Sequence, residues 1–415
     1  MKHPMWAFIV AVSLAGALAS FAEAPQLPVP AGPYGVGRIV CDWTDHARLD
    51  STGPDPKRAR ELRVDFWYPI ARPVGEAHGV YLPGAKIIDA DPELGRAMRE
   101  GYGETWSEIL SGAVYSHVVE NAPAARSPKR FPLVIFSHGL GGSSFGYTAL
   151  FEAMVSRGYV IAAIEHPGTA DVVVFPDGRM ARPFHEPEPA GLTPAQQMQR
   201  MMDGAGRAIE VGAADERFVL DRLMQQNAGK EKAADAKDFA LAGRLDLSNV
   251  AVMGHSAGAD FAARACELDM RFKACVDLDG AMAPVEALPE YPDGKMVQQP
   301  LLFLEAYHDE AHIFGTHEEK LAFFKKEKEQ LAKCPKGSYD VVLNPPGMVH
   351  GSFSDSYVLH AGNTAEQRAQ ALHNLALAES YVLAFLDQRL KGVPAPLLDD
   401  SWAAPAEVRI TPLGR

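Results

Sequence analysis

No cluster of lysine and arginine offsets the acidic balance of this 415-residue chain, which carries 40 basic against 53 acidic side chains and a formal charge of −13. That argues against nucleic acid and anionic membrane as electrostatic partners, and says nothing about fold. Cysteine is scarce: Cys41, Cys266, Cys275 and Cys334 are the four present, and none has the paired spacing of a zinc site. In an exported protein four thiols allow three complete pairings, but Cys266 and Cys275 also suit small buried hydrophobes, and the choice stays open. No internal repeat is present, which excludes a solenoid or propeller. The N-terminal apolar run from Trp6 to about Ala19 is too short to span a bilayer comfortably. With Lys2 before it and Ser20-Phe21-Ala22 after it, residues 1–22 read as a secretory signal cleaved after Ala22. No cysteine follows closely enough for a lipid-anchored start.

What is present is an ordinary globular composition, 47% apolar and 22% charged, with length for one large α/β domain or two smaller ones. Residues 23–31 form a Pro- and Ala-rich leader. Ile39–Trp43 and the alternating Leu62–Tyr68 are expected to pair as strands. Short helices are expected around 92–100 and 104–112, within a segment from 72 to 130 whose Gly, Pro and small polar residues place it at the surface. Phe131–Ser137 and Tyr159–Ile164 are continuous apolar runs of the kind buried on both faces. A helix carrying Leu150, Met154 and Val155 lies between them, giving a right-handed βαβ unit.

The residues from about 171 to 245 are too many for a structureless loop. They read as a hairpin, Val172–Phe175 with Met180–Phe184, and then two helices. The first opens at the capping box Thr193-Pro194-Ala195-Gln196 and carries Met198, Met201 and Met202, assigned to core packing over an acyl pocket. The second runs from Glu216 to Gln226. Further strands are expected at Phe272–Gly280, Gln299–Ala306 and Ser338–Leu343. A terminal helix from about Thr364 to Leu390 is followed by a peripheral tail over 393–415. Residues 32–392 thus form one domain with a mostly parallel central sheet, flanking helices and a helical insert.

The chemistry concentrates at Val250-Ala251-Val252-Met253-Gly254-His255-Ser256-Ala257-Gly258. A buried strand runs into Gly-x-Ser-x-Gly and then into an alanine-rich helix, the setting of a nucleophile elbow. The turn demands positive φ at Ser256 and no Cβ at Gly254 or Gly258. A serine hydroxyl needs a base oriented by a carboxylate, in the chain order Ser, Asp, His for an α/β-hydrolase fold. His350, in the loop after the last of these strands, is the expected base. Asp279, at the carboxyl end of its strand, is favoured over the deeper Asp277, with Asp309 as the fallback. The amides of Ala257 and Leu140 are the expected oxyanion donors, with Gly139, Gly141 and Gly142 letting the backbone approach a substrate. His138 and His166 end neighbouring strands and are expected at the pocket, whereas the tight turn directs His255 away. The cluster His308-Asp309-Glu310-Ala311-His312, with His317 and Glu318, lacks the arrangement of a zinc protease and reads as a solvated face. No metal or cofactor is called for.

Phe131–Gly141, Val160–His166, Gly254–Gly258, the Asp279 strand end and Met348-Val349-His350-Gly351-Ser352-Phe353 resemble the plasma-type platelet-activating factor acetylhydrolases, as does the opening Gly32-Pro33-Tyr34-x-Val36-Gly37. The similarity runs from about residue 32 to 390 in the same order. It implies Ser256 as nucleophile, Asp279 as acid, His350 as base, Leu140 and Ala257 as oxyanion amides, and calcium-independent hydrolysis of short or oxidised acyl chains at the second position of phospholipids. Ala257 stands where the animal enzymes have a bulky aromatic residue, and Pro167-Gly168 replaces charged residues. The expected activity is a secreted or periplasmic serine esterase acting on small-molecule or phospholipid esters, with transient lipid-surface contact allowed. A general short-chain carboxylesterase or dienelactone-hydrolase-like enzyme, and a binding module of the same fold, are the alternatives.

Overall fold

A computed structural model describes residues 24–281, 297–307, 317–360, 364–399 and 404–414, apart from 54, 56, 74, 128, 184–188, 190 and 228–240. The expected signal segment, the His308–His312 cluster and Asp309 lie outside the described residues. Among the described residues no helix is long and apolar enough to cross a membrane.

The long strands β1 (Gly35–Leu49) and β2 (Ala59–Ile70) pair antiparallel with Ile39 opposite Phe66 and Trp43 opposite Leu62, the predicted hairpin. Two short strands, β3 (Gly79–Val80) and β4 (Tyr115–Ser116), bracket three helices, α1 (Ala85–Ala90), α2 (Pro92–Tyr102) and α3 (Glu104–Ser111). Asp91 caps α2 by accepting from the Glu93 and Leu94 amides, with proline at the first position. This stretch is not mere surface: Trp106, Ile88 and Ile109 are buried in a satellite core with Ala149, Val174 and Leu375. The turn-rich composition masked a helical cover over one end of the sheet.

The strands β5 (Val118–Glu120), β6 (Phe131–Ser137) and β7 (Val160–Glu165) come next, with α4 (Thr148–Ser156) crossing between the last two. A small hairpin of β8 (Val173–Val174) and β9 (Met180–Ala181) turns at Gly178, as expected. The two helices read from the insert are one, α5 (Pro194–Asn227). Within it, a Cβ at Gly212 would stand 2.3 Å from the Phe261 ring. That position therefore serves close helix packing rather than a turn. Met202 packs with Ile209 and Phe261, while Met201 is exposed.

The remaining elements are β10 (Leu245–His255), α6 (Ala257–Leu268), β11 (Phe272–Leu278), β12 (Leu301–Ala306), α7 (His317–Leu331), β13 (Tyr339–Leu343), α8 (Ser356–Leu359), α9 (Ala365–Lys391) and β14 (Val408–Pro412). The ten-stranded sheet has the order β14-β13-β12-β11-β10-β6-β7-β2-β1-β5. Strands β7 to β13 in that order run parallel, flanked by antiparallel β2 and β14. One apolar cluster fills each face, as a parallel sheet requires. This is the α/β-hydrolase architecture. The tail expected to lie off the domain instead supplies the edge strand β14, paired to β13 from Leu343–Val408 to Tyr339–Pro412. All four cysteines are free thiols, three of them buried.

Glu327 on α7 is buried and faces Glu305, Lys328, Asp340 and Asp279. Burial, reinforced by Glu305, pushes its carboxyl from 4.5 up to about 8. A folded-state value above the unfolded one favours the fold fully at low pH and loses that contribution as pH rises from 4.5 to about 8. Glu327→Gln should therefore flatten the fall of Tm across that interval and raise Tm at its upper end. Differential scanning calorimetry over a pH series checks this; an unchanged slope would contradict it.

Candidate active site

Strand β10 occupies the middle of the sheet, with Gly254 opposite Ser137 on one side and Asp277 on the other. It stops at His255, and Ser256 then takes φ 54°, ψ −127° before α6 begins at Ala257. Such a dihedral is costly for a residue with a side chain and persists only where its surroundings enforce it. Here they do. A Cβ on Gly254 would lie 2.0 Å from the Gly258 carbonyl oxygen, and one on Gly258 would lie 2.2 Å from that of Ser137. The Ser256 amide donates to Leu278 O at 2.9 Å, tying the elbow to the end of β11.

Asp279 follows immediately and is itself at positive φ, 55°. Its amide donates to Leu304 O (2.9 Å), and its Oδ1 accepts from the Ala306 amide at 2.8 Å. Its Oδ2 lies 2.6 Å from His350 Nδ1. An ionised carboxylate only accepts, so Nδ1 carries the ring proton and Nε2 is left as a base. His350 is 44% exposed at its side chain, whereas Asp279 is buried. Asp277, the other candidate, is fully buried. Its Oδ1 accepts from the Gly280 amide at 2.7 Å, and burial drives its carboxyl well above the ordinary range. Asp279 is thus the member of the pair that meets an imidazole.

His255, expected to be directed away, instead holds the loop that carries His350. Its Nε2 donates to the His350 carbonyl at 2.9 Å, and its Nδ1 accepts from the Tyr147 hydroxyl at 2.8 Å. The two imidazole rings lie 4.6 Å apart, tilted by 33°. Burial, then the neighbouring His350, push His255 down to about 4, which keeps it neutral in this arrangement. The Tyr147 oxygen in turn accepts from the Gly139 amide at 3.4 Å. Gly139 crosses directly over the elbow, since a Cβ there would meet Ser256 Cβ at 3.2 Å. The Ala257 amide is the first of α6, one of the donors a helix start leaves without an internal partner. The Leu140 side chain is exposed at the next position.

His138 and His166 differ from expectation. Both are fully buried beneath the loop rather than lining a pocket. His166 Nε2 lies 2.9 Å from Ser137 Oγ, and its Nδ1 lies 2.9 Å from Asp215 Oδ2. Burial pushes His166 down to about 4. Burial alone would raise Asp215, but Arg60 and His166 outweigh it and hold that carboxyl well below its usual range. This inner Ser–His–Asp arrangement has no solvent access and fastens α5 to the ends of β6 and β7. Beside Gly141 and Gly142, a cavity of about 290 Å³ is lined by Tyr81, Ile88, Met98, Tyr102, Asp171 and Tyr147, among others. Among the described residues no group of three or more His, Cys, Asp or Glu could hold a metal.

The family model for platelet-activating factor acetylhydrolase, isoform II, matches residues 19–391. The chain belongs to that family. It is 27% identical over 325 residues to the platelet-activating factor acetylhydrolase of Cavia porcellus, covering 75% of this chain and 67% of that one. It is 27% identical to the same enzyme of Gallus gallus, covering 49% and 50%. A probable 1-alkyl-2-acetylglycerophosphocholine esterase of Arthroderma benhamiae matches at 25%, covering 41% and 44%. These alignments span about half to two thirds of the relatives' own length. Among solved structures, a ferulic acid esterase from Streptomyces cinnamoneus superposes with a TM-score of 0.66 at 26% identity, covering 93% of this chain and 99% of that one.

Tyr147→Phe removes the hydroxyl between Gly139 and His255 and leaves Nδ1 buried without a donor. It should cost about 1–3 kcal/mol of stability. Urea unfolding monitored by tryptophan fluorescence reads this, and an unchanged midpoint would show that the bridge is not needed.

Proposed function

We propose that the protein is a carboxylic ester hydrolase working through an acyl-Ser256 intermediate, with Asp279 orienting His350 as the base. The observation that carries this reading is the 2.6 Å contact of His350 Nδ1 with Asp279 Oδ2, at the same sheet edge as a serine held at positive φ. His350 Nε2 takes the Ser256 proton as Oγ attacks the ester carbonyl, then returns it to the leaving alcohol. Water repeats the sequence on the acyl-enzyme. The Leu140 and Ala257 amides receive the developing oxyanion. No step needs a cofactor.

The substrate is a short-chain acyl ester of the kind named for the relatives, a 1-alkyl-2-acetylglycerophosphocholine, or a small soluble ester. Family membership supports the first; the ferulic acid esterase neighbour keeps the second in view. The enzyme acts after export, with residues 1–22 as its signal and transient lipid-surface contact.

Ser256→Ala should lower kcat by about 10⁴–10⁶ and abolish stoichiometric labelling by a fluorophosphonate probe, with the circular dichroism spectrum unchanged. Ordinary turnover by the variant would refute the nucleophile. A profile of acetyl to long-chain esters, presented as soluble nitrophenyl esters and as phospholipids, separates the two substrate classes.

A further inference from the structure

We infer that His138 is the positioning residue of the oxyanion hole: it grips the Gly139 carbonyl and thereby sets the direction of the Leu140 N–H. The inference rests on the esterase reading and concerns how one of its parts is held. His138 follows β6 directly, has no exposed surface, and places Nδ1 2.8 Å from the carbonyl oxygen of Gly139. A carbonyl only accepts, so Nδ1 bears the proton and donates. The other ring nitrogen accepts: the His166 amide points at Nε2 from 3.3 Å. The ring is therefore held from both sides, with Nδ1 on the loop and Nε2 on the amide that follows β7. A second donor, the Gly142 amide at 3.0 Å, joins it on the same Gly139 oxygen.

The consequence follows from peptide geometry. Among the described residues there is no cis peptide bond, and in a trans peptide the C=O of one residue and the N–H of the next point in opposite directions within one plane. Two donors drawing the Gly139 oxygen inward turn the Leu140 hydrogen outward, away from the His138 ring. Gly139 itself is pinned on its other side by Tyr147 and lies against Ser256, so the plane has little freedom to rotate. A glycine loop is otherwise the segment most able to flip a peptide. A flipped plane would present an oxygen to the oxyanion instead of a donor. His138 converts a flexible glycine turn into a preset dipole, which is the condition for stabilising charge that exists only in the transition state.

Two substitutions separate this role from plain packing. In His138→Asn the amide nitrogen can overlay Nδ1 and still donate to Gly139. In His138→Gln the amide oxygen can overlay Nε2 and accept from His166, while the Gly139 donor is lost. With a nitrophenyl acetate substrate, H138Q should lower kcat about 10- to 100-fold, a fraction of what deleting an oxyanion donor costs, with KM within twofold. Affinity for a trifluoromethyl ketone, which forms the tetrahedral adduct, should fall by the same factor. H138N should recover kcat to within about tenfold of the parent. Fluorophosphonate titration counts competent sites, so loss of folded enzyme is not read as loss of rate.

If H138Q turns over at the parental rate, or loses kcat while keeping ketone affinity, the inference is overturned. It also fails if H138N is as slow as H138Q per titrated site. Should H138Q not fold, H138N alone still decides, since a donor-retaining variant that loses ketone affinity contradicts the proposal. Normal turnover by Ser256→Ala would instead strike the esterase reading itself.

Discussion

The structure depends on a steric constraint at the turn after β10. The Gly254 backbone lies against Gly258, and Gly258 lies against the end of β6, so closely that neither position has room for a single methyl group. That crowding forces the chain to reverse within one residue and holds Ser256 in a backbone conformation it would not adopt alone. The cost is local. The cores on both faces of the sheet, which fix β6, β10 and β11 relative to one another, supply what offsets it.

Around that turn, three loops are bound to one another rather than to solvent. The Gly139 loop reaches Tyr147, Tyr147 reaches His255, and His255 reaches the backbone of the loop that carries His350. Each link uses a neutral donor and acceptor, in keeping with the burial that holds His255 in its neutral form. The elbow histidine is thus less a neighbour of the chemistry than the strut beneath it. His350 is half exposed, while the Asp279 carboxylate that meets its ring is sealed away.

Much of this was readable from the chain alone, because the signals were local. Val250–Met253 running into Gly-x-Ser-x-Gly carries its own geometry, and buried parallel strands such as Phe131–Ser137 are unbroken apolar runs. What was missed is non-local. The Asp215 and Glu216 carboxyls sit on α5 and meet partners 49 and 79 residues earlier in the chain, a pairing no periodicity encodes. His138 and His166 read as pocket residues because they follow strands at the functional edge; His166 is instead buried against Asp215 of α5, and His138 against the His166 ring. The two apolar segments read in the insert, after Thr193 and from Glu216 to Gln226, are joined in α5 through Gly212, whose missing side chain leaves room for Phe261. The role of residues 72–130 was hidden by turn-rich composition, since Ile88 and Trp106 sit on separate short helices that share one buried cluster only in the folded chain.

Strand β14 gives the sheet an unusual dependence. It pairs with β13 through five residues, Val408 to Pro412, after the chain has passed through α9 and crossed back. Until that return is made, the β13 ladder presents bare amides and carbonyls, the kind of template on which other chains assemble. The far end of the polypeptide therefore acts as a guard against self-association for a sheet whose chemistry lies four strands away.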